Sequence, residues 1–269
     1  MKLRYLGTAA AEGFPALFCN CEFCREAKKL GGKNVRTRSQ ALVNEDLLLD
    51  FPADTYFHFL SNGIDGHKIA YLLVTHSHSD HLYPKDFGMR VWPFSHDMEK
   101  AELNVYCSPY TAGVIGDEYK NVRVTAIEPF APVKLGEYTV TALPARHMTG
   151  CGAYFYIVEG EKTLLYAHDT GYFFDEVFEY IEKNKLHFDM VSFDCTNVDI
   201  PIGDDGCHMG FPNIKRVISR LEGMKAIDQN TVKYVNHFSH NGNPLHHIME
   251  EKAAAIGCGV SYDGCEVEF

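Results

Sequence analysis

Residues 69–75 (IAYLLVT) form an unbroken apolar run, the pattern of a strand buried on both faces. Further strands are predicted at 2–6, 40–43, 46–51, 104–107, 122–127, 138–143, 188–193 and 233–237. Residues 153–158 and 163–167 read as a hairpin turning through 159–162 at Gly160, and 260–269 as a terminal strand pair. Helices are predicted at 172–184, which places Phe173, Val177, Tyr180 and Ile181 on one face, at 213–224 and 244–256, and at the more polar 22–30, which ends at Gly31-Gly32. The first half is mostly strand; the second alternates strand and helix. Histidines and aspartates recur just past predicted strand ends, where a sheet fold can gather them into one site. No linker, repeat or low-complexity tract interrupts the pattern, so one domain over 1–269 is expected.

Composition changes this picture in two places. The 269 residues are 46% hydrophobic and 23% charged, which suits a sizeable core and excludes a wholly disordered chain. No apolar run reaches the ~18 residues of a membrane span, and residues 1–10 lack the apolar stretch of a secretory signal. With 25 Lys+Arg against 36 Asp+Glu the net charge is −11, which disfavours an extended nucleic-acid surface. The unusual counts are 14 His and 9 Cys. An odd cysteine number without a signal peptide fits reduced thiols or metal ligands, and a cytoplasmic protein is expected.

The sharpest motif is His76-Ser77-His78-Ser79-Asp80-His81, directly after the buried strand. Imidazole and carboxylate at this spacing suit zinc, manganese or iron; a solvated polar loop is the plain alternative. A second motif, Cys19-Asn20-Cys21-Glu22-Phe23-Cys24, packs three thiols as C-x-C-x-x-C, able to wrap one Zn²⁺ if a fourth ligand exists. Unrelated thiols or a redox pair would be the other readings. Cys107, Cys151, Cys195, Cys207, Cys258 and Cys265 show no ligand spacing and read as small buried hydrophobes.

The H-x-H-x-D-H motif resembles the signature of the metallo-β-lactamase superfamily. The resemblance implies an α+β, four-layer αββα sandwich and further ligands in a fixed chain order, matched here by His147, Asp169 and His237. One metal would take His76, His78 and His147, the other Asp80, His81 and His237, with Asp169 bridging. A pair about 3.5–4 Å apart would hold a nucleophilic hydroxide. His168 would point away from Asp169 and serve as an outer hydrogen-bond partner or in packing. A redox branch of the superfamily carries Glu where this chain has His78, so hydrolysis is favoured.

Gly13-Phe14-Pro15 with the cysteine triplet narrows the likeness to the PhnP-type phosphodiesterases, which act on cyclic ribose phosphates. That resemblance implies a structural zinc in Cys19, Cys21, Cys24 and His240, and a catalytic His208 that protonates a leaving alkoxide. Asp80 is a second candidate catalytic side chain, and Asp194 an outer or structural carboxylate. The expected function is hydrolysis of small, cyclic phosphodiesters with two Mn²⁺ or Zn²⁺ ions. Two alternatives share the fold: an accessory protein of pyrroloquinoline quinone synthesis with oxygen chemistry, and a tRNA-processing nuclease. Two features depart from the pattern. Asp50-Phe51-Pro52-Ala53 lacks the family's Gly, and residues 82–102 (with Tyr83, Phe87, Trp92, Phe94 and His96) match no substrate pocket. That segment is expected to wall the site, with its aromatics in the core. No membrane partner is expected, and base rate favours a homodimer.

Overall fold

Two seven-stranded sheets face each other in the computed structural model, which describes residues 1–269. The first holds β1 (Lys2–Gly7), β2 (Gln40–Val43), β3 (Leu47–Leu49), β4 (Tyr71–Leu73), β5 (Leu103–Cys107) and β6 (Val122–Ala126) in that order, with β14 (Glu266–Glu268) outside β1. The second runs β7 (Val133–Leu135), β8 (Tyr138–Pro144), β9 (Tyr154–Glu159), β10 (Thr163–Ala167), β11 (Met190–Asp194), β12 (Val232–Asn236) and β13 (Gly259–Val260). Helices α2 (Thr55–Asn62) and α3 (Pro109–Ile115) lie in the half of the chain that builds the first sheet. In the other half are α4 (Asp175–Lys183), α5 (Phe211–Gly223) and α6 (His246–Ala254), while α1 (Glu22–Leu30) follows the cysteine loop.

The apolar runs are explained by three cores. Successive strand residues point to opposite faces, and both faces here are covered. Leu47, Leu49 and Leu73 pack between the sheets against Val140, Tyr156 and Tyr166. Their neighbours Leu48, Leu72 and Val74 pack outward with Val105, Phe87 and Ile115. On the second sheet, Leu165, Val191 and Phe193 face outward onto Val177 of α4, Val217 of α5 and Met249 of α6. The result is the expected αββα sandwich.

Several elements differ from expectation. The strands predicted at 46–51 and 69–75 are shorter, because Asp50 turns the chain at φ 66° and its carboxylate binds Thr75. The terminal pair is not a pair: β13 joins β12 in one sheet and β14 joins β1 in the other. Helix α2 escapes the pattern because it is inverted, burying Thr55 and His58 while exposing Tyr56, Phe57 and Leu60. Helix α3 and β7 are short and also unforeseen. In the 82–102 segment Phe87 is core, but Trp92 and Phe94 are exposed. With α2 part of this segment lines a cavity of about 640 Å³ against the first sheet, and none of the expected metal ligands lines that cavity.

Strand direction gathers the chemistry. β3 to β6 are mutually parallel, as are β10 to β13, and β8 runs with β10 through two antiparallel pairings. Asp50, His76, His147, Asp169, Asp194 and His237 therefore all sit at or just past carboxyl ends of strands. This edge is where open α/β layers commonly place their sites.

One buried histidine makes the fold pH-sensitive. His58 sits against Gln40 Oε1 (2.7 Å) and Thr37 Oγ1 (2.7 Å). Burial outweighs the nearby Asp54 and lowers its pKa to about 4. The unfolded chain thus binds the proton first as pH falls below the ordinary histidine value, and stability drops between there and pH 4. The contribution is on the order of 3 kcal/mol. Urea midpoints measured at neutral pH and near pH 4 should fall less in His58→Gln than in the wild type; equal falls would remove His58 as the cause.

Candidate metal centre

Six donors come together as two triads. The nearest nitrogens of His76, His78 and His147 lie within 4.8 Å of one another, as do the donor atoms of Asp80, His81 and His237. Within the first, His78 Nδ1 is 2.9 Å from His76 Nε2 and 3.3 Å from His147 Nε2. Within the second, His81 Nε2 is 3.2 Å from Asp80 Oδ2. Asp169 faces both: its Oδ1 is 3.8 Å from His147 Nε2, and its Oδ2 is 2.9 Å from His81 Nε2 and 3.0 Å from His237 Nε2.

The backbone is bent to achieve this. Asp169 (φ 51°) and His237 (φ 64°) both occupy the left-handed region, as does Asp50. Such conformations cost a non-glycine residue about 1–3 kcal/mol and persist where surroundings impose them. Burial opposes ionisation of Asp169, yet the His237 and His81 imidazoles hold its carboxyl well below the usual carboxylate range.

The outward-facing ring nitrogens are anchored. His81 Nδ1 is 2.7 Å from Asp50 Oδ2, and His76 Nδ1 is 3.0 Å from Thr75 Oγ1. His237 Nδ1 is 2.8 Å from Thr196 Oγ1, and His147 Nδ1 is 3.4 Å from the Cys207 carbonyl. Fixing one nitrogen aims the other, as in metal sites generally. The aimed atoms His81 Nε2, His237 Nε2 and Asp169 Oδ2 are buried and meet no partner other than one another. Three ligand-type atoms that converge on one point with no outside partner are an arrangement that a cation would satisfy. The donor set therefore fits two divalent metals. Asp50, Thr75 and Thr196 were not singled out in the sequence as anchors; Asp50 carried a signal only as the Asp of the altered turn.

His208 lies beside the triads, its ring 4.9 Å from that of His147 and 5.6 Å from that of His237. Its Nδ1 is 2.9 Å from Asp194 Oδ2, while Asp194 Oδ1 accepts from the backbone N–H of Thr196 and Met209. Burial works against protonation, but Asp194 prevails and His208 rises to about 9. His168 points away as expected: it is buried, 2.7 Å from Ser192 Oγ and packed on Tyr166.

The cysteine loop forms a separate cluster. The sulfurs of Cys19, Cys21 and Cys24 and a nitrogen of His240 lie within 4.8 Å of one another. His240 Nδ1 is 3.4 Å from Cys19 Sγ and 3.6 Å from Cys21 Sγ. Cys21 caps α1 and accepts from the Cys24 N–H. Burial opposes its ionisation, but His240 and the Cys24 N–H lower it to about 6. Three thiols and an imidazole suit a tetrahedral zinc. No cysteine forms a disulfide, and of the other six, all but Cys207 are buried.

Comparison with known proteins places the fold. The model of the β-lactamase superfamily domain matches residues 52–238. Among solved structures, a diphosphatase from the PhnP family is similar at TM-score 0.74 and 21% identity, covering 100% of this chain and 97% of that one. Zn²⁺-bound PqqB from Methylobacterium extorquens is similar at TM-score 0.74 and 16% identity, covering 100% of both. The short form of human tRNase Z is similar at TM-score 0.67 and 13% identity, covering 100% and 99%. At these identities the likeness speaks to the fold. No curated protein matches by sequence.

The cysteine cluster generates a stability test. Cys21→Ser should lower the melting temperature by several degrees and should abolish further destabilisation by a chelator at that cluster, because structural zinc contributes to folding directly. An unchanged melting temperature would mean that the cluster holds no metal.

Proposed function

The chain belongs to the β-lactamase superfamily, and from that premise we propose that it is a metal-dependent hydrolase of small, cyclic phosphodiesters. The observation that carries the reading is the pair of donor triads joined at Asp169, whose buried atoms His81 Nε2, His237 Nε2 and Asp169 Oδ2 face inward with no outside partner. His76, His78 and His147 would hold one divalent ion, and Asp80, His81 and His237 the other, with Asp169 shared. Bound there, Mn²⁺ or Zn²⁺ supplies Lewis acidity to phosphoryl oxygens and lowers the proton affinity of water.

The chain's own groups account for the rest. Hydrolysis forms one P–O bond to water and breaks one ester P–O bond, so the departing alkoxide needs a proton. His208 is the donor: Asp194 keeps its ring protonated and fixes Nδ1, leaving Nε2 for the leaving oxygen or a phosphate oxygen. Asp80 approaches His81 through one oxygen and leaves the other for the attacking water. The −11 charge disfavours a long polyanion, so a small substrate fits better than tRNA. We place 1–269 in one cytoplasmic hydrolase domain, with a structural zinc in Cys19, Cys21, Cys24 and His240. No helix is long and apolar enough to cross a membrane.

A panel of cyclic 1,2- and 2′,3′-phosphates, linear diesters and a phosphonate ester, assayed with Mn²⁺, Zn²⁺ and Ni²⁺, tests the reading. Cyclic diesters should turn over best. Asp169→Ala should lose essentially all activity, and His208→Ala should lose on the order of 10²-fold in kcat while keeping its metal. Turnover of no small diester with any metal would reject this function in favour of the oxygen-chemistry or tRNA-processing alternatives.

A further inference from the structure

The face formed by α2 and the segment that follows Pro84–Arg90 carries more exposed apolar surface than the rest of the fold explains. Tyr56 is 76% exposed, Phe57 56% and Leu60 69% on α2; Met89 is 46% and Phe94 63% on the cavity lining, and Trp92, two residues before Phe94, is 78%. With large side chains exposing up to ~150–250 Å² each when free, these six present roughly 800 Å² of apolar-rich surface. That exceeds the patch usual on a monomer and equals the ~800 Å² each partner contributes to a standard interface.

We propose that this face is a homodimer interface, occupied by a second copy of the chain across a twofold axis. Three features point to a copy of itself. The area meets what a stable dimer needs. The face holds both an exposed aromatic, Trp92, and an apolar cavity of about 640 Å³ lined in part by Phe59, Phe87 and Phe94. A twofold interface needs one patch to supply both partners of each contact, and here an exposed ring and an apolar recess lie on the same segment. Its charges are balanced as well: Lys85, Arg90 and Lys100 stand with Asp86, Asp97 and Glu99, so each copy offers both signs to the other. A membrane surface is a poorer match, because anionic lipid attracts a basic cluster and the chain carries −11 overall.

The inverted pattern of α2 then has a reason. The helix buries Thr55 and His58 beneath it and turns Tyr56, Phe57 and Leu60 outward, because in the dimer the outward face is also covered. The interface is independent of the hydrolytic reading and touches none of the proposed metal ligands.

Sedimentation velocity of the full chain at micromolar concentration should give 60.8 kDa, twice the 30.4 kDa chain. Leu60→Glu and Trp92→Glu, both at exposed positions, should each sediment at 30.4 kDa with unchanged circular dichroism. The chain's single tryptophan supplies a second readout on the wild type: dilution through the dissociation range should shift Trp92 emission to the red. A wild-type monomer at every concentration, or a dimer that survives both substitutions, would overturn the proposal. So would a monomer whose Trp92 emission shifts to the blue only on adding phosphatidylserine vesicles, which would make the face a membrane contact.

Discussion

The structure turns on a carboxylate that is buried where the two sheets meet. Asp169 is 2% exposed, and its oxygens face imidazoles from both halves of the chain: His81, which follows the first sheet's β4, and His147 and His237 from the second. Removing such a charge from water costs several kcal/mol unless it is fully compensated. Here the imidazoles are pinned from behind, so their free nitrogens cannot turn away to other partners. The packed sandwich supplies the rigidity. Continuous apolar strands lock both sheets, and at their carboxyl ends Asp50, Asp169 and His237 take left-handed conformations.

A second consequence is that two clusters of different chemistry share one short stretch of chain. His237 belongs to the imidazole–carboxylate centre, and His240, three residues on, to the thiol cluster. Between them Phe238 is hydrogen-bonded to Thr8 and Ala10, and Ser239 donates to Glu12. The N-terminal loop is thereby stitched to the end of β12. The only link from the cysteine loop to this stretch is His240 itself, three residues past His237.

Much of the centre was legible in the sequence because its ligands lie at strand ends, and the strands announce themselves. The run at 69–75 marks the approach to His76-x-His78-x-Asp80-His81, and the weaker positions His147, Asp169 and His237 follow from chain order within the family pattern. What was not legible depends on tertiary contact. Asp50, Thr75 and Thr196 are ordinary polar residues until the fold sets them behind His81, His76 and His237. The tail at 260–269 reads as a strand pair because both pieces are β-prone, yet each finds its partner in a different sheet. Helix α2 hides because Tyr56, Phe57 and Leu60 face outward while Thr55 and His58 are buried. The aromatics at 92 and 94 read as core for the same reason: composition does not say which side of the chain is covered.

The central claim is that the donors joined at Asp169 hold two metal ions and that the thiol cluster holds a third. Elemental analysis of the purified protein, with and without Asp169→Ala, tests it directly. The account predicts about three metals per chain, falling toward the single thiol-held zinc in the variant. One metal or none in the wild type after loading with Zn²⁺ or Mn²⁺ would contradict it.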